Sequence, residues 1–546
     1  MKLRTLFSVQ PGTLASTVVL WAATAVLLAF AAAPYRAFQL WSFSILFGGL
    51  LLYRGRSSLA KIGAYLGFLL IWVDGGIRAF LRTIYGAEPK STFVLESVAN
   101  THTSESFEYL QTLWSDIALW SGIVLALAIA GFLLIRRIPS TPAPRTVSGK
   151  PLTVLIGFLA LVLTVGAALS PWRGHWPIFY WTSWVRSVES VRAGWENQTQ
   201  EHALRRATAD AQITSASQEP RTLLLLVGES TVRDDLSLYG YPRNTTPKLD
   251  ALAKDPHFAA VRPVWSVSSS TLPAFDDMFE FPTSSGPGNL FAFFRSAGYK
   301  VTWISNQDDL AIKNRYAAWD DDPEMLNRLA GRSSASLDEN VLPSLERALN
   351  DPAERHLIVV HLIGLHPHYR LRRPSNWTAN WTKNDAVETQ LESLDRSSWV
   401  IDARNDYDLG IRYQDEILAR SLELARTSSA GKILDWVYVS DHGQELGDDE
   451  NRTGHSNTTA DGYRVPLLFW LSDRSDAKSW ENRPFRTDRL SPTLLALAGI
   501  RWKDEDASRI FLDPAYVWEK PEIPVVDPEL DAVTARETQR RASAAP

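Results

Sequence analysis

The chain contains no cysteine, and that absence removes disulfide crosslinks, thiolate metal ligands and a cysteine nucleophile together. An excess of positive charge is also missing: 56 Lys and Arg face 61 Asp and Glu, a net charge of -5. With no basic stripe to follow a phosphate backbone, nucleic acid is not an expected partner. Internal repeats are absent as well. Long apolar runs stop at about residue 172 and most of the charge lies beyond it. The overall 45% hydrophobic and 21% charged content therefore averages two unlike halves. At 546 residues the chain exceeds one ordinary domain, so at least two units are expected.

The first half holds five apolar stretches: Thr17–Ala33, Ala37–Tyr53, Ile62–Ile77, Ile117–Ile135 and Leu152–Leu169. Each approaches the ~20 residues a helix needs to cross a bilayer, and hydropathy favours spans over buried core helices. The second is the weakest, being short and closely flanked by Arg36 and Arg54. The first has no cleavage-like end and is followed by further spans, so it does not read as a signal peptide. With the N-terminus inside, the inner segments hold Lys2, Arg4, Arg54, Arg56, Lys61, Arg136, Arg137, Arg145 and Lys150. The outer loops hold Arg36, Arg78, Arg82 and Lys90. Positive charge stays inside, so five spans put the chain after about residue 170 outside, which in a bacterium is the periplasm. Trp172, Trp176, Tyr180, Trp181 and Trp184 follow among few charges. They predict an interfacial helix or two lying on the membrane, with core packing as the alternative. Gln198–Pro220, polar and rich in Ala, Ser and Gln, reads as a linker.

From Arg221 the pattern changes to short β-rich runs alternating with helical segments, which predicts an α/β layered domain. Its core strands are expected at Thr222–Val227, Lys300–Ile304, His356–Leu362 and Trp436–Ser440. Thr246-Pro247 and Ser491-Pro492 mark helix starts, with a hydroxyl at the cap and Pro in the first turn. The Pro-, Ala- and charge-rich end after Ile523 is expected to be loose. The expected division is thus 1–171 transmembrane, 172–220 interfacial helices and linker, 221–522 catalytic domain and 523–546 tail.

Each strand is followed by a polar residue of chemical interest. Glu229 follows the first, Asn306 the second, His366 lies just past the third, and Asp441-His442 follows the fourth. In open α/β sheets ligands bind beyond the carboxyl ends of the strands, so these residues should converge on one edge. Glu229, Asp441 and His442 form a ligand set that suits zinc and leaves a position open for catalysis. An adjacent Asp-His can also be a capping Asp beside a surface His, but Gly443 lets the backbone turn sharply after the pair. The nucleophile should sit on a loop entering a helix, where free N–H groups and the dipole favour a phosphate. "VWSVSSSTLPAFDDMF" fits, with a run of hydroxyls before Pro273 and Asp276 and Asp277 in the first turn. A Ser/Thr cap without chemistry is the alternative there. His366 and His455 have metal or phosphate potential, His361 falls inside a strand as a core or supporting residue, and His368 reads as surface.

"VGESTVRDDLSLYGYPRNTTPKLDAL", "HLIGLHPHY", "YDLGIRYQDEIL" and "YVSDHGQELG…GHSN" resemble the lipopolysaccharide-modifying phosphoethanolamine transferases of the alkaline-phosphatase/sulfatase superfamily. The polymyxin-resistance transferases belong to that group. The similarity runs from about residue 221 to 500, and a five-span anchor matches the family's architecture. The resemblance implies that Glu229, Asp441 and His442 bind a catalytic zinc. An ungapped alignment of Phe258 through Pro273 places Ser268 where the family has a nucleophilic Thr that also contacts zinc. His366 and His455 match histidines that bind substrate phosphate or a second zinc, and Asn306 matches a substrate-side position. Ser268 departs from the family's Thr amid Ser269, Ser270 and Thr271, and the disulfides of many relatives are impossible here.

The resemblance implies a two-step displacement in the periplasm, at the face of the inner membrane. Phosphatidylethanolamine is the donor, and lipopolysaccharide (lipid A or a core sugar) or another envelope glycan is the acceptor. Membrane lipids are the natural surroundings of both. A glycerol-phosphate transferase of the lipoteichoic-acid type shares anchor and fold, and donor analysis separates the two. A sulfatase is disfavoured because neither a Cys nor a Ser-x-Pro-x-Arg precursor of formylglycine is present. A catalytically inactive lipid- or glycan-binding relative is disfavoured by the retained zinc and phosphate-side residues.

Overall fold

The computed structural model describes residues 11–54, 57–100, 110, 113–138, 174–196, 198–307, 310–326, 337–378, 381–428 and 431–544. The chain divides into two compact units, one drawn from Met1–Ala99 and Leu113–Val191, the other from Asn100–Thr112 and Arg192–Pro546.

The first unit is helical: α1 (Pro11–Ala31), α2 (Pro34–Arg54), α3 (Ser58–Tyr85) and α4 (Trp114–Arg136). Three helical segments among the described residues are long and apolar enough to cross a membrane: Gly12–Ala31, Ser58–Tyr85 and Trp114–Arg136. Three rather than five therefore meet that description. Helix α2 has the length, but Arg36, Gln39, Ser42 and Ser44 lower its hydropathy. The fifth expected span, Leu152–Leu169, lies outside the described residues. The helices pack around Leu28, Phe68, Ile71 and Trp72, all fully or almost fully buried. Gly131 lets α4 approach closely, since a Cβ there would stand 2.5 Å from the Trp72 ring. Helix α5 (Pro177–Glu196) carries the chain onward through the Trp- and Tyr-bearing segment.

The second unit is built on a seven-stranded mixed sheet. Its strands are β2 (Arg221–Gly228), β3 (Phe258–Val261), β5 (Lys300–Ser305), β6 (Glu324–Met325), β7 (Arg355–His361), β8 (Ile433–Ser440) and β9 (Leu467–Leu471). The spatial order is β3-β9-β8-β2-β7-β5-β6. Strands β8, β2, β7, β5 and β6 run parallel, while at one edge β9 pairs antiparallel with β8 and β3 pairs antiparallel with β9. "RTLLLLVG" is buried at every position, the mark of a strand covered on both faces, and it occupies the centre. The four expected strands are β2, β5, β7 and β8, and their parallel pairing turns all four carboxyl ends the same way. Helix α9 (Ser398–Ser428) packs on this sheet, and its Asp415 carboxylate accepts from Lys248 N and Leu249 N, both at 2.9 Å. That side chain caps α7 (Pro247–Leu252), whose expected Thr-Pro start is present. The Ser491-Pro492 start falls inside α10 (Leu490–Leu497), where Ser491 Oγ donates to the Met278 carbonyl instead of capping.

Two expectations are corrected. Gln198–Pro220 is not a bare linker: it forms α6 (Thr199–Gln212) and β1 (Ile213–Ala216), and β1 pairs antiparallel with β10 (Ile500–Trp502). Its Ala, Gln, Glu and Arg residues are strong helix formers, and Thr208, Ala209 and Gln212 make a small buried face. The end beyond Ile523 is not loose either, because Pro528–Ala544 is helix α11 with Leu530 and Val533 buried.

Candidate active site

Glu229 leaves the end of β2 with its side chain fully buried. The next residue, Ser230, has φ 57°, a left-handed conformation uncommon for a residue with a side chain. Local bonds hold it there: Ser230 N donates to Asp441 Oδ1 at 3.1 Å and Ser230 Oγ to Glu229 Oε1 at 2.6 Å. Gly364, with φ 51°, passes under Glu229, where a Cβ would stand 2.7 Å from the Glu229 carbonyl oxygen. Gly443 also has to be glycine, for a reason other than the sharp turn expected of it. A Cβ there would stand 2.0 Å from the Asp461 carbonyl oxygen.

Past β8, His442 Nδ1 lies 2.7 Å from the Gly443 carbonyl, which can only accept. Nδ1 therefore carries the proton, and Nε2 offers its lone pair to the site. That Nε2 is 3.3 Å from Glu229 Oε1 and 3.5 Å from Asp441 Oδ2. Asp441 Oδ2 is buried with no hydrogen-bond partner. Burial and the neighbouring Glu229 charge push the Asp441 carboxyl up to about 7. Burial lowers the His442 pKa, but the Asp441 and Glu229 carboxylates outweigh it and push it up to about 9. A buried pocket with this much negative charge and an orphaned carboxylate oxygen calls for a cation. Glu229, His442 and His455 offer ligand atoms all within 4.8 Å of one another. The orphaned Oδ2 adds Asp441 to that set, so the residues fit a divalent metal such as zinc.

Thr271 is the first residue of helix α8 (Thr271–Phe279). Its Oγ1 lies 3.1 Å from Glu229 Oε2 and 3.4 Å from His442 Nε2. Ser268, the expected nucleophile, is elsewhere: its Oγ donates to Asp277 Oδ2 at 2.6 Å. Ser266 Oγ donates to the Asp441 carbonyl at 2.6 Å. The hydroxyl that enters the site is thus three positions later than the ungapped alignment placed it. Pro273 stands early in the helix as expected, but Asp276 and Asp277 lie beyond its first turn, and Thr271 is the hydroxyl at the helix start.

His455 Nε2 is 3.9 Å from Glu229 Oε1, with ring centroids 4.8 Å from His442 and 5.8 Å from His366. Both histidines expected on the phosphate side therefore border the cluster. His361 is a core residue as expected, with Nδ1 3.1 Å from Ser305 Oγ and burial pushing its pKa down to about 4. His368 sits at φ 75°, outside the cluster. The buried Asn306 side chain donates to Asp338 Oδ1 at 2.9 Å, and Asp338 in turn accepts from Ile363 N and Gly364 N. The neighbouring Gln307 reaches Glu229 Oε2 instead, at 3.1 Å, and anchors to the Leu362 carbonyl. Gln444 was also missed. It donates to the Ser230 and Leu365 carbonyls and accepts from Tyr369, tying the loops after β2 and β7 together. Neutral amides of this kind carry no sequence signal apart from their place beside the ligands.

At the ends of a mostly parallel α/β sheet, carboxylates and imidazoles that could hold a metal thus gather around a hydroxyl at a helix start. Residues 221–500 match the sulfatase family, and the chain belongs to it. The phosphoethanolamine transferase EptC of Escherichia coli is 29% identical over 495 residues, 83% of each chain. The phosphoethanolamine transferase CptA of Salmonella typhimurium is 28% identical over 494 residues, again 83% of each. Among solved structures, the C-terminal periplasmic domain of EptC from Escherichia coli in complex with Zn aligns at TM-score 0.50 and 29% identity. That alignment covers 56% of this chain and 89% of that one. The integral membrane lipooligosaccharide phosphoethanolamine transferase A of Neisseria meningitidis aligns at TM-score 0.55 and 17% identity, over 90% of this chain and 98% of that one, a likeness of fold.

Proposed function

We propose that this protein transfers phosphoethanolamine from phosphatidylethanolamine to a lipopolysaccharide-type or related envelope glycan, with Thr271 as nucleophile. The observation that carries the reading is the Thr271 hydroxyl set against Glu229 and His442, in a chain whose curated relatives are named phosphoethanolamine transferases. Glu229, Asp441 and His442 would hold the zinc, with His455 and His366 on the substrate side. When bound there, zinc lowers the pKa of a nearby hydroxyl and offsets charge on phosphoryl oxygens.

Thr271 Oγ1 attacks the phosphorus and its proton passes to the carboxylate–imidazole cluster it faces. The phosphorus–oxygen bond to diacylglycerol breaks, and the leaving oxygen takes a proton from the His366–His455 side. An acceptor hydroxyl or phosphate oxygen then attacks the same phosphorus. The acceptor's proton goes to the His366–His455 side, replacing the one given to diacylglycerol. The bond to Thr271 breaks, and Thr271 takes back the proton held by the carboxylate–imidazole cluster. The N-terminal end of α8, with Thr271 as its first residue, would favour the negative phosphoryl oxygens. His442 is fixed by Nδ1 on Gly443, so its Nε2 does not have to reorient during the reaction.

The apolar helices of the first unit fit an inner-membrane anchor with the second unit in the periplasm, where donor and acceptor are both lipid-embedded. Anchoring raises their effective concentration at the site. The test is mass spectrometry of envelope glycolipids from cells lacking the gene and complemented with wild type or with Thr271→Ala. Phosphoethanolamine on glycolipid with wild type alone supports the reading. An added glycerol phosphate in its place overturns the donor assignment.

A further inference from the structure

Residues beyond 500 lie outside the family match, yet part of that segment holds the strands and loops that build the site. Asp527 is 2% exposed. Its Oδ2 accepts from Trp265 Nε1 at 2.8 Å and Arg464 Nε at 3.1 Å, and its Oδ1 accepts from Arg464 Nη2 at 2.7 Å. Oδ1 also accepts from Glu529 N at 2.9 Å, so the same carboxylate caps α11. Two residues on, Glu529 pairs with Arg233. Trp265 is fully buried in a cluster with Tyr463, Trp518, Leu530 and Val533, and its ring centroid lies 5.7 Å from that of Trp518.

The three residues that receive these contacts each border a site segment. Arg233 follows Glu229 and Ser230, Trp265 ends the short strand β4 (Val264–Trp265) just before the hydroxyl loop, and Arg464 follows the His455 loop. They are also tied to one another: Ser266 N donates to the Tyr463 carbonyl at 2.7 Å and Arg233 N to the Arg464 carbonyl at 3.1 Å. Burial raises the Asp527 pKa, but the hydrogen bonds from Arg464 and Trp265 outweigh it and hold the carboxyl below its ordinary value. A paired buried charge of this kind is directional and costly to disturb, which suits it to fixing the relative position of chain segments.

We propose that the segment from Trp518 to Ala544 is a strut that sets the nucleophile loop and the His455 loop against each other, with Asp527 as its positioning residue. The proposal takes Thr271 as nucleophile from the reading above.

The test uses the full-length protein in detergent, as wild type, Asp527→Ala, Asp527→Asn and Trp265→Phe. Turnover of fluorescent phosphatidylethanolamine, zinc per chain and hydrogen exchange in peptides over 266–271, 456–464, 528–544 and 221–228 are measured. Asp527→Ala is expected to lower kcat at least ~10-fold with KM within about threefold, as loop misplacement does, and to leave zinc content unchanged. Asp527→Asn keeps an acceptor for Trp265 and recovers part of the activity, and Trp265→Phe falls between it and wild type. Exchange rises in 266–271 and 456–464 and stays low in β2. If wild type does not use phosphatidylethanolamine, the donor assignment fails, while the exchange measurement still reads the strut without substrate. Unchanged kcat in Asp527→Ala, exchange confined to α11, or exchange spread equally into β2 overturns the proposal.

Discussion

Two hydroxyls three positions apart, Ser268 and Thr271, should answer very differently to removal. Ser268→Ala deletes one hydrogen bond, 2.6 Å long, to a part-buried carboxyl. A bond of that kind contributes about 1–2 kcal/mol net. If the whole loss appears in the transition state, the rate falls by roughly 5- to 30-fold. Thr271→Ala instead removes the oxygen that faces Glu229 and His442, and loss of a nucleophile costs on the order of 10⁶-fold. Thr271→Ser keeps the oxygen and drops only the methyl that restricts its rotamer, so most of the activity should survive. The assay is turnover of fluorescent phosphatidylethanolamine by each purified variant, with zinc measured in the same preparations. Abolished transfer in Ser268→Ala together with substantial transfer in Thr271→Ala would refute the reasoning and restore the ungapped register.

Glu229→Ala and Asp441→Ala should each lose zinc and transfer, and a chelator should do the same to wild type until zinc is returned. Stoichiometric zinc in both variants by elemental analysis sinks the ligand assignment. Asp435, buried against Arg221, has its carboxyl pushed by burial from 3.8 up to about 7. Between those values the folded state binds more protons than the unfolded state, so this group's contribution to stability falls as pH rises from about 4 to about 7. The Tm of Asp435→Asn relative to wild type should therefore rise by a few degrees from about pH 5 to about pH 8, and a flat difference refutes the sign. Reporter fusions after Lys150 should read cytoplasmic and fusions after Ala203 periplasmic, and both on one side contradicts the span count.

The sheet and its polar edge were legible because strands such as "TLLLLVG" carry an unbroken apolar run and lead straight into an ionisable residue, leaving little freedom for where Glu229, Asp441 and His442 meet. Which hydroxyl faces Glu229 was not, because Ser266, Ser268, Ser269, Ser270 and Thr271 are chemically alike. Only their three-dimensional partners separate them: Asp441 carbonyl for Ser266, Asp277 for Ser268, Glu229 for Thr271. Asn306 and Gln307 are similarly interchangeable in one dimension, and a one-residue step past β5 sends the first to Asp338 and the second to Glu229. Gln198–Pro220 and the end of the chain looked loose because they carry few large apolar residues. They dock through small faces and ion pairs, such as Asp527 with Arg464, whose partners lie far away in sequence.

The most direct measurement is to incubate the full-length enzyme with phosphatidylethanolamine and no acceptor, then map the modified peptide by mass spectrometry. The account predicts phosphoethanolamine on Thr271, discharged when acceptor is added. An adduct on Ser268 or Ser266 contradicts the placement of the nucleophile, and transfer that proceeds with no adduct under any trapping condition contradicts the two-step displacement itself.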